Sequence, residues 1–248
     1  MSGFYVYGVT RAGEDAAPSR TGVGDTPVQT IERGPVAALV SEVPGDSVPG
    51  RARNLTAHSE VLREAMDGAT VLPMRFGVLM PDADTVRRDL LEAREDWLTR
   101  MLDALDGRVE MTVSAMYREE VLLHEVVTED ATIRTLRERV RSKPAAATHF
   151  ERIRLGELVA QAVEAHRSAD AGAILDALRP FADAYVPGEP LHEQMVVNAS
   201  FLVRRDRLQE FDNTVESVSA ARADRMHFKL TGPLPPFSFV SAEEAAWA

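Results

Sequence analysis

The first half of the chain alternates between strand-like and helix-like patterns of apolar residues. Residues 4–9 form an apolar run rich in aromatic and β-branched side chains, which is typical of a β-strand. Residues 28–31 and 36–43 have the same character and flank a Gly-Pro turn, so they predict a β-hairpin. A helix is expected from Asn54 to about Met66, and Gly68 ends it.

A longer helix is expected after residue 82, with one apolar face docked on a sheet. Its predicted apolar stripe is Val86, Leu90, Trp97, Met101 and Leu105. Residues 109–115 then alternate between apolar and polar side chains, which predicts a half-buried strand.

The second half of the chain begins with long helical patterns. The stripe that predicts the first helix is Leu122, Val126, Ile133, Leu136 and Val140. Pro144 breaks this pattern, and residues 149–185 again have helical spacing, with a phase change near residues 168–172 that predicts a kink or the start of a second helix. Two long helices joined by a short break indicate an antiparallel helical hairpin.

The last part of the chain predicts a strand, a helix and a final strand. Residues 195–203 alternate, and Asp206 with Gln209 resembles a capping box for the helix that follows. Residues 226–230 form the last strand, and the three prolines after Gly232 are expected to stop its hydrogen-bonded ladder.

These elements place the chain in the α+β class with two domains. Residues 1–116 predict an N-terminal domain with a ferredoxin-like sheet and helices. Residues 117–248 predict a C-terminal α+β domain dominated by the long helical hairpin.

Composition narrows the classes of function. The chain has no cysteine, which excludes disulfides and thiolate chemistry and favours a reducing compartment. Its formal charge of −11 disfavours binding to nucleic acid or to anionic lipid. The start of the chain does not resemble a standard export signal, and no apolar run is long enough to span a membrane.

Catalytic and metal-binding motifs are missing from the sequence. The six histidines lack metal-ligand spacing, and no P-loop or Gly-x-Ser-x-Gly elbow occurs. His58 lies on an apolar helix face, where a core histidine with satisfied hydrogen bonds is the common explanation. We therefore predict no catalytic residue, no metal and no cofactor.

Two short segments stand out from the rest. Residues 71–77, VLPMRFG, place Arg75 and Phe76 just beyond a strand end, and Gly77 is expected to adopt a positive φ. Residues 229–239, KLTGPLPPFSF, predict a stiff extended stretch with Phe237 and Phe239 as buried anchors.

Together these segments resemble the paired signatures of the GvpF/GvpL family of gas vesicle proteins. An N-terminal FYVYGV strand and a histidine upstream of LPMRFG also fit that family, so the resemblance covers residues 4–240. The matching positions, for which the resemblance implies a structural or partner-contact role, are His58, Leu72, Pro73, Arg75, Phe76, Gly77, Lys229, Thr231, Gly232, Pro233, Pro235, Pro236, Phe237 and Phe239.

The resemblance implies a non-enzymatic protein of the gas vesicle or cytoplasm. Its expected partners are the small hydrophobic shell protein of the vesicle and other accessory gas vesicle proteins. The motifs do not separate F-type from L-type members.

Two other readings stay open at the level of sequence. A small α+β enzyme or a regulatory ligand-binding module would use a pocket near His58, Arg75 and His227. A compact pocket with converging His and Arg side chains would favour these readings, whereas a flat apolar patch rimmed by charge would favour assembly contacts.

Overall fold

The structure, a computed structural model, describes residues 2–45, 48–144 and 147–240. The chain forms two compact units. The first contains the residues through Met111, Arg204–Asp206 and the chain from Gly232 onward, and the second contains Thr112–Val203 and Arg207–Thr231. Each unit mixes helices and strands, so the predicted α+β class is confirmed. The predicted domain boundary at residues 116 and 117 stays a prediction.

The first unit is built on an antiparallel sheet of five short and long strands. They are β1 (Ser2–Arg11), β2 (Gln29–Arg33), β3 (Val36–Pro44), β4 (Leu72–Pro73) and β5 (Leu79–Met80). The order is β2-β3-β1-β4, and β5 also pairs with β1. The predicted hairpin is confirmed, with Ile31 opposite Ala38. Strand β1 is central, and its residues from Tyr5 to Thr10 are buried.

The helices of this unit contain one irregularity that the apolar pattern did not predict. They are α1 (Ala52–Gly68), α2 (Ala83–Thr85), a π-helical turn (Val86–Glu92) and α3 (Glu95–Leu105). In the π turn the Ala93 N–H bonds to the Arg88 carbonyl, five residues earlier. Because this turn holds one extra residue, the buried face shifts from the predicted Trp97 and Met101 to Leu98 and Leu102.

The remaining strands form a four-stranded sheet. They are β6 (Arg108–Tyr117), β7 (Ala184–Pro187), β8 (Met195–Arg204) and β9 (Met226–Leu234), in the order β7-β8-β6-β9. Strand β9 continues through Gly232 and Pro233 and ends at Leu234, so it does not stop at the first of the three prolines but does end before the other two. Since β9 lies at a sheet edge, a proline without an N–H is tolerated there.

The helices of the second unit are α4 (Glu119–Glu129), α5 (Ala131–Arg141), α6 (His149–Leu178) and α7 (Leu208–Ala220). The first predicted helix is divided, because Asp130 accepts hydrogen bonds from the Thr132 and Ile133 N–H groups and starts α5. The predicted capping box was wrong, since Asp206 accepts from Arg204 and α7 has no side-chain cap.

Helix α6 runs unbroken for 30 residues, so the kink expected near residues 168–172 was wrong. Asp170, in that region, accepts a hydrogen bond from the Tyr117 hydroxyl at 2.5 Å and pairs with Arg225 at 3.2 Å. Glu125 holds the same guanidinium at 2.9 Å. These contacts fix the helix where its apolar face changes phase. Tyr185, which was expected at the end of this helix, lies in β7.

Candidate partner-contact site

A chain of hydrogen bonds in the first unit connects β1, α1 and the segment 74–77. The Gly77 N–H donates to the Tyr5 hydroxyl at 3.2 Å, and this hydroxyl lies 2.9 Å from His58 Nδ1. His58 Nε2 lies 3.1 Å from the Met74 carbonyl oxygen. Because a carbonyl only accepts, Nε2 carries the proton and Nδ1 accepts from the Tyr5 hydroxyl.

The surroundings keep this chain of hydrogen bonds neutral. His58 is only 3% exposed, and burial lowers its pKa to about 4, although the bond to Met74 opposes the shift. Burial also raises the pKa of Tyr5 above its ordinary value. At neutral pH both side chains are therefore uncharged, and their hydrogen bonds hold segment 74–77 at Met74 and at Gly77. We call Tyr5 and His58 together the neutral clamp.

The backbone of β1 holds the same segment. The Met74 N–H donates to the Tyr7 carbonyl at 2.8 Å, and the Val6 N–H donates to the Val78 carbonyl at 3.0 Å. Gly77 has φ +102°, as expected from the sequence, and open space surrounds the position of a Cβ there. Position 77 favours glycine because its φ is positive, and not because a side chain there would clash with a neighbour.

The second family segment is held by a buried carboxylate. Glu110 is 5% exposed and accepts two hydrogen bonds from Ser238, one from its N–H at 2.9 Å and one from its hydroxyl at 2.8 Å. A Cβ on Gly232 would lie 2.5 Å from Met111 Sδ and 2.9 Å from the Glu110 carbonyl oxygen. The backbone of this segment therefore passes tightly against β6.

Aromatic rings from both segments meet around His58. The Phe76 ring lies 5.8 Å from the rings of Tyr5 and His58, and the Phe237 ring lies 6.5 Å from that of His58. Phe76 is half-buried and Phe237 is 41% exposed. Leu55, one turn before His58 on α1, is 45% exposed. We call the partly exposed rings of Phe76 and Phe237 the apolar patch.

The expected burial of the two anchor phenylalanines was wrong for Phe237. The buried residues of this segment are Pro235 and Pro236, while Phe239 is half-buried. Because Glu110 fixes Ser238, the preceding ring is held over His58 with one side open to solvent.

The structure brings together only some of the family positions. His58, Phe76, Gly77 and Phe237 belong to the cluster just described, Arg75 beside them is exposed, and Leu72 and Pro73 are buried in β4. The others lie along β9 and just after it. Lys229 and Thr231 belong to the second unit, whereas the chain from Gly232 belongs to the first.

The postulated pocket of His58, Arg75 and His227 gains no support from the side chains. Both ring nitrogens of His58 are engaged by Tyr5 and Met74, and His227 is an exposed residue of the second unit. Within the described residues, no group of three His, Asp or Glu side chains is placed to hold a metal ion.

Sequence reasoning did not identify Tyr5, Tyr7 or Glu110 as site residues. Tyr7 accepts a hydrogen bond from the Val23 N–H at 2.7 Å and donates to Ser41 at 2.9 Å. Glu110 was placed on the polar face of its strand. A buried tyrosine pair in a central strand was the available signal, because a buried hydroxyl needs partners.

Taken with the fold, this arrangement defines a class of protein. It is an α+β protein in which two sequence motifs bring the rings of Phe76 and Phe237 against His58, and clusters of three possible metal ligands do not occur among its described residues. Among the described residues, no helix is long and apolar enough to cross a membrane.

The comparisons with known proteins identify the family. The model of the family described as gas vesicle synthesis protein GvpL/GvpF matches residues 3–241, and the chain belongs to that family. Gas vesicle protein F of Streptomyces sp. (strain CB03234) is 41% identical over 95% of this chain and 98% of that protein. Gas vesicle protein L of the same strain is 31% identical over 97% of this chain and 93% of that protein. The description of the family names gas vesicle synthesis and does not name an enzymatic activity.

A solved structure supports the fold. The crystal structure of the gas vesicle protein GvpF from Anabaena sp. PCC7120 matches with a TM-score of 0.85 and 24% identity, covering 97% of this chain and 99% of that one. The family match and the identity to the Streptomyces F protein confirm the resemblance to GvpF/GvpL proteins inferred from the sequence.

Proposed function

We propose that this chain is an accessory or minor structural protein of gas vesicles that binds the small hydrophobic shell protein and supports vesicle assembly. It acts without a cofactor and without catalysis, at the gas vesicle or in the cytoplasm. Other accessory gas vesicle proteins are further partners. Its identity to the F protein of the Streptomyces strain exceeds that to the L protein, which favours an F-type role.

The observation that carries the proposal is the apolar patch on a rigid support. Phe76 and Phe237 come from the two family segments, 161 positions apart, and both rings lie against His58. Partly exposed aromatic rings on a pre-organised surface are typical of protein contacts, since little conformational freedom is lost on binding. A small hydrophobic partner fits this chemistry better than a polar ligand does.

Retention experiments test the proposal. The shell protein of the Streptomyces strain, fused to a soluble carrier, should retain the chain at physiological salt, and the carrier alone should not. Anionic liposomes and duplex DNA should not retain it, because the chain carries a formal charge of −11. Retention by DNA without retention by the shell protein would refute the proposal.

A further inference from the structure

Two arginine side chains beside the apolar patch have no partner in the described part of the chain. Arg75 lies between Met74 and Phe76, and Arg51 immediately precedes α1. Both are exposed, and neither side chain makes a hydrogen bond or an ion pair with a described residue. Several other arginines of the first unit are paired, as Arg20 is with Glu60, whereas Arg63 and Arg100 are exposed and also have no partner among the described residues.

The position of these arginines follows from the elements that carry them. Leu55 and His58 are three residues apart on one side of α1, and Arg51 is the extended residue that immediately precedes the helix, four positions before Leu55. The segment that carries Arg75 is held at Met74 and Gly77 by His58 and Tyr5. Arg75 is thus the exposed chain neighbour of Phe76 on a segment held by hydrogen bonds, and Arg51 is an exposed residue at the start of the helix that carries Leu55 and His58.

We propose that this surface recognises a partner segment in which a carboxylate lies next to an apolar side chain. The apolar side chain packs on Phe76 and Phe237, and the carboxylate pairs with Arg75, with Arg51 as a second contact. A guanidinium suits this role, since its planar donors match the two oxygens of a carboxylate. The inference rests on the proposed function and names the chemistry of the partner at that site.

The net negative charge of the chain implies that Arg75 and Arg51 act on a partner only at short range. With a formal charge of −11, the chain as a whole repels an acidic partner, so unpaired cations beside the contact surface decide whether a carboxylate is accepted. Phosphate groups of DNA or lipid also attract guanidinium groups, but they offer no apolar side chain to cover the rings. They are therefore alternatives for the experiment to exclude.

Charge reversal tests the inference. Arg75→Glu and Arg51→Glu are compared with Arg63→Glu, whose arginine is also exposed and unpaired among the described residues but lies about 140° around α1 from His58. All three variants change the net charge equally. Arg75→Glu should weaken binding of the carrier-fused shell protein about tenfold and flatten its dependence on salt. Arg51→Glu should have a smaller effect, Arg75→Lys should keep most of the affinity, and Arg63→Glu should match the wild type.

Each outcome separates the inference from the proposed function. Equal binding by Arg75→Glu and Arg63→Glu, while Phe237→Asp abolishes binding, would overturn the carboxylate contact and leave shell-protein binding intact. Arg75-dependent retention on anionic vesicles, or Arg75-dependent dimerisation in light scattering, would also overturn it. If the wild-type chain does not bind the shell protein at all, the proposed function fails and the inference fails with it.

Discussion

The two family segments are held in place by different chemistry. Segment 74–77 is clamped by the neutral pair of Tyr5 and His58, whose hydrogen bonds end on backbone groups. Segment 232–239 is held by the carboxylate of Glu110 and by close passage of Gly232 against β6. The position of segment 74–77 depends on a histidine that stays uncharged. The position of segment 232–239 depends on close packing at Gly232 and on a buried hydrogen-bond acceptor. The two halves of the proposed contact surface should therefore lose their structure under different perturbations.

The largest effect is expected from crowding at Gly232. In Gly232→Ala the new methyl group meets Met111 Sδ at 2.5 Å at a φ of +151°, and the combined clash and strain should cost about 4 kcal/mol. Gly77→Ala is the matched control, because its φ of +102° is unfavourable but the space is open, so about 1 to 2 kcal/mol is expected. Urea unfolding of both variants measures the difference. Equal losses would show that crowding does not hold the second segment.

Acid should release the first segment through His58. Its pKa is about 4 in the folded chain and 6.5 in the unfolded chain, so the unfolded state binds more protons between these values. Stability is then fully present above pH 6.5 and falls as the pH drops toward 4, by about 3 kcal/mol in total. In His58→Gln this part of the pH dependence should vanish, even though the variant is less stable at pH 7. An unchanged profile of unfolding free energy against pH would contradict the neutral clamp.

A smaller effect is expected from Glu110→Ala. This change removes the acceptors of both the Ser238 N–H and the Ser238 hydroxyl, so about 2 kcal/mol should be lost. Ser238→Ala removes the hydroxyl and keeps the N–H, and should cost less. Hydrogen exchange at the Ser238 amide reports the contact directly. Unchanged protection of that amide in Glu110→Ala would argue against the buried acceptor.

The parts of the fold that sequence could predict are those with local signals. Alternation in residues 36–43 and the turn before them sufficed for the β2–β3 hairpin, because both strands and their turn are adjacent in the chain. The stripe on α3 was misplaced by one residue, since a π turn leaves no periodic signal of its own. Helix α6 was expected to be interrupted near Asp170, and the residues that contact Asp170 in the unbroken helix, Tyr117 and Arg225, are more than 50 positions away in the chain.

The site was predictable only as a set of motif positions. A positive φ at Gly77 was predicted because this glycine follows the end of a strand, and the structure has φ +102° there. The contact of Glu110 with Ser238 joins residues 128 positions apart, and nothing near either one indicates the other. Exposure of Phe237 also depends on that contact, which is why a buried ring was expected from the sequence.

The central claim is that the apolar patch, and not any exposed aromatic residue, binds the shell protein. Phe150 on α6 supplies a control, because it is 83% exposed and lies in the second unit. The decisive measurement is the dissociation constant for the carrier-fused shell protein with Phe237→Ala and Phe150→Ala, read beside the melting temperature of each. Phe237→Ala should weaken binding about tenfold or more with a modest loss of stability, and Phe150→Ala should leave affinity unchanged. Unchanged affinity in Phe237→Ala, or an equal loss in both variants, would contradict the account.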